Sequence, residues 1–402
     1  MNKIIIPQAV EEVLNRLTSY GEEAYIVGGC VRDSIMGKIP KDWDITTSAT
    51  PMRIKEIFQR TVDTGIKHGT VTVLHLREAV EVTTFRVDGQ YEDHRRPKEV
   101  SFTKSLKEDV ARRDFTVNAM AYSPQTGLMD YFEGQEDLKK RLIRCVGEAG
   151  ERFEEDALRM MRAVRFAAVL NFEIEASTEK AIVEKKDLIQ AVSWERIRIE
   201  FVKTLASDYP QFLANFVRYG LWPFFLSEVA LPENREDAFY RNLSSLPAEG
   251  YSRLSYLFLQ MGRGEEAAAK GKKILKRMTF DNHTIQVVKT VIENAALTIE
   301  YDDYFFRKLL SKLGEEVAEV LLEIAAIDQA TDKALAKVYM QRAKAMPLRI
   351  SDLEVDGSDV MQCGIREGKA VGECLNQLLE LVLKHPEKNT KQDLTEWIKE
   401  HF

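Results

Sequence analysis

Cysteine is scarce in this chain of 402 residues. The four cysteines, Cys30, Cys145, Cys363 and Cys374, are scattered and form no Cys-x-x-Cys pair. That pattern excludes a dense disulfide frame and a cysteine zinc site, and reads as reduced intracellular thiols. Histidine is also sparse: six dispersed residues, with no His-Glu-x-x-His motif. Long apolar runs are missing, since no stretch approaches the roughly 18 apolar residues of a membrane helix. The opening "MNKIIIPQAV" has too short an apolar run for a signal peptide, so a cytoplasmic protein is expected. Positive charge is not in excess. Lys and Arg total 57 against 64 Asp and Glu, for a formal net charge of -7. A protein that coats nucleic acid non-specifically needs a large positive field, and this chain lacks one. A local basic groove remains compatible with that total. There is no repeat of fixed period and no low-complexity tract.

What is present is apolar content of 45%, enough for more than one domain with a true core. The first part, to about Val146, alternates. "VEEVLNRLTSYG" has helical spacing and stops at Gly21. "EAYIVGG" is a short strand running into a glycine turn, "CVRDSIMG" a helix and "DWDITT" a strand. "TPMRIKEIFQR" starts a helix with Thr50 as N-cap and Pro51 at the first helical position. "GTVTVLHL" and "AVEVTTFRV" alternate like half-buried strands of a hairpin. From about Glu148 the pattern becomes helix after helix, including "EEDALRMMRAVRFAAVL", "WERIRIEFVKTLA", "DYFFRKLLSKLGEEVAEVLLEIAAI" and "ALAKVYMQRAKAM". The expected fold is an α+β head followed by a long all-α remainder.

The stretch "VGGCVRDSIMGKIPKDWDITTSATP" raises the first chemical question. Along a strand, residues two apart share a face, so Asp42 and Asp44 present two carboxylates side by side. Like charges that close repel, and a divalent cation reverses that interaction. Carboxylate oxygens suit Mg²⁺, which binds through one or two carboxylates plus substrate phosphates. A lone Asp-x-Asp is commonly just an exposed strand edge, but its context adds weight. Gly28-Gly29 sits between a strand and a helix, where backbone N–H groups approach phosphate oxygens. Arg32 lies one turn on, a natural phosphate partner. Glu81, in "VEVTTF", is a candidate third carboxylate from a neighbouring strand, against the commoner role of a solvated glutamate.

Two further stretches carry charge in a regular order. "RRDFTVNAMAY", Arg112 to Tyr122, sets two arginines, an aspartate and an asparagine among apolar residues. It reads either as a salt-bridged helix start or as a triphosphate and ribose clamp, since Arg forks onto phosphate oxygens. "EEDALRMMRAVRF" carries Asp156, Arg159, Arg162 and Arg165, each three apart. On one helix Asp156 and Arg159 meet and act as a unit.

Taken as an ordered set, "VGGCVRD", "KDWDITT", "RRDFTVNAMAY" and "EDALRMMRAVRFA" resemble the class II CCA-adding enzymes and bacterial poly(A) polymerases of the DNA polymerase beta nucleotidyltransferase superfamily. The motifs span roughly the first 170 residues. "SWERIRIEFVKTL" is similar to the neck helices, and "GIREGKAVGECLNQLLELV" to the C-terminal segment of the shorter Gram-positive-type enzymes. The resemblance implies a nucleotidyltransferase head at 1–147, a neck at 148–205, a helical body at 206–340 and a helical, tRNA-contacting tail at 341–402. It implies template-independent addition of CCA to the 3′ end of tRNA from CTP and ATP, with Mg²⁺ as cofactor. The acceptor and T arm of tRNA are the implied macromolecular partner, and a homodimer is suggested. By motif position, Asp42 and Asp44 hold Mg²⁺ and, with Glu81, form the catalytic set. Gly29, Arg32 and Arg113 hold the nucleotide. Asp156 and Arg159 read its base, supported by Arg162 and Arg165.

The residue chemistry makes independent sense of that base choice. A carboxylate only accepts hydrogen bonds and an arginine only donates. C and A both offer an exocyclic amine and a ring-nitrogen acceptor on the pairing edge. U and G offer a carbonyl and a ring N–H, which an Asp–Arg pair leaves opposed.

Within the family, loss of a loop in the head marks enzymes that add only CC. "FRVDGQYEDHRRPKEV", Phe85 to Val100, resembles that loop intact, with Gly89, Asp93, Arg95 and Arg96, and favours addition through the terminal A. The chain ends in "KEHF" without the basic extension typical of poly(A) polymerases of this family. An A-adding enzyme or a poly(A) polymerase is the alternative within the family. A non-catalytic RNA-binding protein is the alternative outside it, against which the intact Asp42, Asp44, Arg113, Asp156 and Arg159 argue. "DH" at Asp93-His94 is not the His-Asp doublet of the phosphohydrolase domain some relatives carry. The run "AAAKGKKILKRM", Ala267 to Met278, reads as a solvated helix face or as a contact with the tRNA backbone. The apolar residues of "VAEVLLEIAAI" belong either to a core or to a dimer surface.

Overall fold

The computed structural model describes residues 4–89, 91–92, 96–97, 100–328 and 331–402. The chain divides into two compact units, Met1–Tyr240 and Arg241–Phe402.

The first unit is built on a seven-stranded mixed sheet. Its helices and strands begin α1 (Gln8–Ser19), β1 (Ala24–Val27), α2 (Gly29–Ile35), β2 (Asp44–Thr47) and α3 (Pro51–Ile57), then β3 (Thr61–Gly65), β4 (Thr70–His75) and β5 (Glu78–Thr84). The strand pair β6 (Arg86–Asp88) and β7 (Val100–Phe102) follows, then α4 (Leu106–Ala111), β8 (Met120–Ser123), β9 (Gly127–Asp130) and α5 (Gly134–Lys140). Across the main sheet the order is β9-β8-β1-β2-β5-β4-β3. β2 and β5 run parallel and every other neighbouring pair is antiparallel.

That single parallel pair matters for the site, because it sets Asp44 level with Glu81. Antiparallel partners would have carried the two carboxylates past one another. One sheet face is apolar: Ile26, Ile45, Val71, Val73, Val80 and Val82 are all buried. α1 lays Val10, Val13, Leu14 and Leu17 into this core at helical spacing. α3 starts as its sequence requires, with Thr50 Oγ1 accepting from Arg53 N at 3.3 Å and Pro51 at the first position. The other face carries a second core of Tyr25, Val27, Phe85, Leu106, Val110, Ala119, Ala121 and Val146.

Three sequence expectations change here. The strand expected over "DWDITT" begins only at Asp44, so Asp42 lies in the segment leading into it. "NAMAY" supplies β8, next to β1 in the middle of the sheet, where a charged helix start or clamp was expected. The expected helix through "EEDALRMMRAVRFAAVL" is two helices, α6 (Ala149–Glu155) and α7 (Leu158–Leu170). Asp156 breaks it with extended dihedrals, φ -142 and ψ 101, and accepts from the Leu158 N–H through Oδ1 at 3.1 Å. An aspartate offers the backbone that alternative to helix, which is why it favours helix starts. α8 (Ala176–Lys185) and α9 (Trp194–Leu205) complete the segment expected as a neck.

The expected loop Phe85–Val100 starts from a fully buried Phe85 and continues into β6, paired with β7, and a short ladder of Tyr91–Glu92 with Arg96–Pro97. Asp93 and Arg95 lie outside the described residues.

Among the described residues of the second unit the regular elements are all helical. The helix Asp303–Asp328 is broken at Gly314, whose φ of 78 and ψ of 166 leave the helical region. Val317, Ala318, Val320, Leu321, Leu322, Ile324 and Ala325 are buried within the chain, so "VAEVLLEIAAI" is core. Helix Glu265–Arg277 buries Ala267, Ala268, Gly271, Ile274 and Leu275 and leaves Lys270, Lys272, Lys273 and Lys276 exposed. A small core of Val355, Val360, Cys374, Leu378, Val382, Leu394 and Ile398 gathers the last three helices. Among the described residues no helix is long and apolar enough to cross a membrane.

Candidate active site

The site grows from the turn after β1. Gly28 has φ 86 and ψ -130, a conformation open in practice only to glycine. Its N–H donates to Met120 O at 3.1 Å, which ties the turn to β8. Space forbids a side chain as firmly as the dihedrals do. A Cβ on Gly28 would lie 2.8 Å from Arg113 Nη1 and 3.7 Å from Asn118 O. The turn therefore approaches the Arg113 guanidinium directly. At Gly29 a Cβ would meet only Arg32 Nη2, at 3.6 Å.

Arg113 is a half-buried cation whose Nε is buried without a hydrogen-bond partner. Burial pulls its pKa down, and Asp109 and Asp44 nearby hold it up against that pull. Such a guanidinium favours an anion that would take up its donors.

Asp44 stands near this cation, and Asp42 near Asp44. With Lys41, Trp43, Glu78 and Glu81 they line a pocket of about 410 Å³. Asp44 is exposed on one side and hemmed in by protein on the other. Loss of water raises its pKa, Arg113 counters that, and the Asp42 charge raises it further. A pair that resists ionising together is what a divalent cation relieves, and two carboxylates are the donor set Mg²⁺ takes alongside phosphate oxygens. The residues thus fit the ion. Glu81 is level with Asp44 on the parallel strand and lines the same pocket. Among the described residues no three acidic, histidine or cysteine side chains gather closely enough to hold a metal. Glu81 is therefore a neighbour of the pair rather than part of a ready three-carboxylate cage.

β2 is held from below. Thr46, two residues after Asp44, donates to Asp109 Oδ2 at 2.9 Å. Asp109 is fully buried and also accepts from Arg112 Nε and Nη2, at 3.1 and 2.9 Å, and from the Arg86 N–H at 3.3 Å. The strand that begins at Asp44, the start of β6 and the Arg112-Arg113 segment thus share one carboxylate. Nothing in the sequence pattern pointed to Asp109.

A chain of buried polar contacts leads on to the helices. Arg32 donates to Asn118 Oδ1 at 2.6 Å and pairs with Asp33 at 2.8 Å. Asn118 donates to Asp114 Oδ1 at 3.2 Å, and Asp114 Oδ2 accepts from Arg162 Nε at 2.8 Å. Burial pushes the Asp114 pKa up, but the Arg162 charge and the hydrogen bonds from Arg162 and Asn118 win, and it falls to about 2. Arg162 lies 3.7 Å from Glu200, and Arg165 pairs with the same carboxylate at 2.5 Å. The Phe166 ring packs between three of these cations: Arg32 at 5.4 Å, Arg162 at 5.3 Å and Arg165 at 4.0 Å. Arg32, Arg162 and Arg165 are thereby brought together around one ring, and each already has a protein partner.

The side chains of Asp156 and Arg159 do not pair with each other; their link is the Arg159 N–H donating to Asp156 O at 3.0 Å. Both Asp156 oxygens engage Arg196 of α9, Oδ1 with Nη1 at 3.2 Å and Oδ2 with Nη2 at 2.8 Å. Arg159 donates instead to Glu155 Oε2 at 2.9 Å and to Arg112 O at 3.0 Å. The reason is the break between α6 and α7: the three-residue spacing puts two side chains together only on a continuous helix. Arg196 and Glu200 were missed in the sequence, and their only signal was an alternation of charge in "WERIRIE".

A glycine turn under a cation, two carboxylates entering the next strand, and helices that carry a second polar cluster define a nucleotidyltransferase head with its adjoining helical segment. The comparisons agree. Residues 24–144 match the family described as Poly A polymerase head domain, and 254–398 match tRNA nucleotidyltransferase domain 2. The chain is 38% identical over 411 residues to the CCA-adding enzyme of Enterococcus faecalis, covering 99% of this chain and 98% of that one. It is 37% identical over 392 residues to the CCA-adding enzyme of Lactobacillus gasseri, covering 96% and 95%. The crystal structure of the Bacillus stearothermophilus CCA-adding enzyme in complex with CTP superposes with a TM-score of 0.86 at 31% identity, over 98% of each chain. The chain belongs to the family of CCA-adding enzymes.

Proposed function

We propose that this protein adds CCA to the 3′ end of tRNA, using CTP and ATP without a nucleic-acid template. The observation that carries this reading is the close approach of Gly28 to Arg113 beside the Asp42–Asp44 pair, in a chain that matches named CCA-adding enzymes along almost its whole length. The tRNA 3′ hydroxyl oxygen attacks the α-phosphorus of the nucleotide and loses its proton. The bond to the bridging oxygen breaks, and pyrophosphate leaves.

Each residue has a part in that displacement. Asp42 and Asp44 would hold Mg²⁺, which would supply positive charge to the reacting phosphate when bound. Glu81 faces the same pocket as an accessory carboxylate. Arg113 and the Gly28-Gly29 turn take the triphosphate, because the turn brings backbone close and Arg113 has donors to spare. Arg32, Arg162 and Arg165 support that end through the buried network. Asp156 and Arg159 read the pairing edge of the base, accepting from an amine and donating to a ring nitrogen, which C and A satisfy and U and G do not. Head (1–147), neck (148–205), body (206–340) and tail (341–402) are the working divisions of this reading, with the tail and the exposed lysines of Glu265–Arg277 offered to the tRNA backbone. The tRNA-maturing activity proposed here fits the cytoplasm.

The test is product length. The protein is incubated with Mg²⁺ and a tRNA lacking its last three nucleotides, with CTP alone, ATP alone, and both. Two Cs and one A, then a stop, is the expected result. A addition only to a tRNA ending in CC would instead make it an A-adding enzyme, and a growing A ladder a poly(A) polymerase. No incorporation with tRNA binding retained would overturn the catalytic reading.

A further inference from the structure

We infer that Arg196 is a positioning residue for base choice: it fixes the Asp156 carboxylate as an oriented acceptor for the incoming base. The inference rests on the reading above, in which Asp156 meets the base. Asp156 sits at the joint between α6 and α7, outside the regular part of either helix. At this joint one local contact, the Leu158 N–H on Oδ1, holds the side chain, and a single contact leaves the carboxylate plane free to turn about it. Two donors from one planar guanidinium supply the further hold, at 3.2 and 2.8 Å, from a helix 40 positions further along the chain. A bidentate pair fixes the plane of a carboxylate as well as its place.

The remaining contacts narrow what Asp156 can do. Oδ1 accepts from both Arg196 and the Leu158 N–H, which uses both of its lone pairs. Oδ2 accepts from Arg196 alone among the described residues, which leaves one lone pair. One free acceptor in a fixed plane is the feature that tells an amine from a carbonyl. The N4 amine of C and the N6 amine of A donate to it, whereas the O4 of U and the O6 of G meet it lone pair to lone pair. Arg159 cannot take over the orienting role in this arrangement, because Glu155 and the Arg112 carbonyl already engage it. Without Arg196 the carboxylate is free to turn, and the opposition to a carbonyl is lost along with the acceptor.

The experiment uses the full-length protein with a tRNA lacking CCA and compares kcat/KM for CTP and for UTP. Four proteins are needed: Arg196→Gln, Arg196→Lys, Asp156→Ala and the unchanged protein. Melting temperature and tRNA affinity are measured on each. With Arg196→Gln, the expected result is a rise of roughly 10- to 100-fold in UTP use relative to CTP, the scale of one unmatched polar contact. The loss for CTP falls mainly on KM. Arg196→Lys keeps the charge but not the fork, and gives an intermediate ratio. A purely structural ion pair would slow both nucleotides equally. An unchanged ratio in Arg196→Gln, with base choice lost in Asp156→Ala, overturns the inference and leaves the base-reading role standing. If Asp156→Ala keeps its base choice, the base-reading role itself falls. Should Arg196→Gln fail to fold, an unchanged ratio in Arg196→Lys is enough to overturn the inference.

Discussion

Replacing Gly28 by alanine separates the two things this residue does. The first is conformational. At φ 86 and ψ -130 an L-residue is strained, at a cost of about 1–3 kcal/mol. In a unit the size of Met1–Tyr240 that lowers the melting temperature by several degrees, at roughly 2–4 °C per kcal/mol. The second is steric. The new Cβ would lie 2.8 Å from Arg113 Nη1, the far end of a flexible side chain, so the guanidinium yields rather than the backbone. Arg113 then leaves the triphosphate position. A hydrogen bond to a charged group contributes about 1.5–3 kcal/mol, so KM for the nucleotide rises roughly 10- to 100-fold. The rise is equal for CTP and ATP, because the triphosphate is common to both.

Gly29→Ala is the control. Its Cβ meets only Arg32 Nη2 at an ordinary 3.6 Å, Gly29 has no positive φ, and alanine is a better helix former than glycine. Its melting temperature holds or rises, and its KM rises less than that of Gly28→Ala, because Arg113 keeps its place. The assay is steady-state addition to tRNAs ending before C and before A, with calorimetry on the same samples. If Gly28→Ala behaves like Gly29→Ala in both measurements, the close approach of turn and guanidinium is not what binds the triphosphate.

Asp44→Asn removes one of the two carboxylates offered to Mg²⁺ and abolishes nucleotide addition, by at least about a thousandfold given the several kcal/mol such an ion supplies. tRNA retention on a filter should be unchanged, because Asp44 is exposed and carries no fold contact of the kind Asp109 makes. Asp114 sets an acid limit on the fold. Its carboxyl is held down to about 2 from an ordinary 3.8, so its contribution of about 2 kcal/mol is complete above pH 4 and is lost as pH falls towards 2. Urea unfolding at pH 5, 4, 3 and 2 reads this directly. Asp114→Asn should flatten that part of the curve while lowering stability at neutral pH, since Arg162 is left without its main partner.

The order of elements in the head was legible because local signals agreed with tertiary ones. Thr50 and Pro51 start α3, Gly21 ends α1 at φ 85, and the two alternating runs pair as β4 and β5. Asp44 and Glu81 were recognisable as strand residues two strands apart in sequence, and the parallel register makes them level. What failed was spacing read as contact. Asp156 and Arg159 are three apart but separated by a helix break, so each found another partner. β8 was hidden because it is buried on both sides and shows no alternation, its pattern being four buried residues in a row. Asp109 and Arg196 were invisible for a different reason. Their value lies in partners 63 and 40 positions away, and no short pattern carries that.

The long reach of these contacts also sets an order on the making of the protein. Asp42, Asp44 and Glu81 are joined by neighbouring strands near the start of the chain. Arg32 finds Asn118 only 86 positions later, Asp114 waits 48 more for Arg162, and Asp156 waits 40 for Arg196. A growing chain therefore brings Asp44 level with Glu81 well before Asp156 can meet Arg196. If base choice rests on Asp156 as proposed, it depends on a later stretch of chain than the Asp44–Glu81 pairing does, and a chain ending between α7 and α9 would lack the Arg196 hold on Asp156.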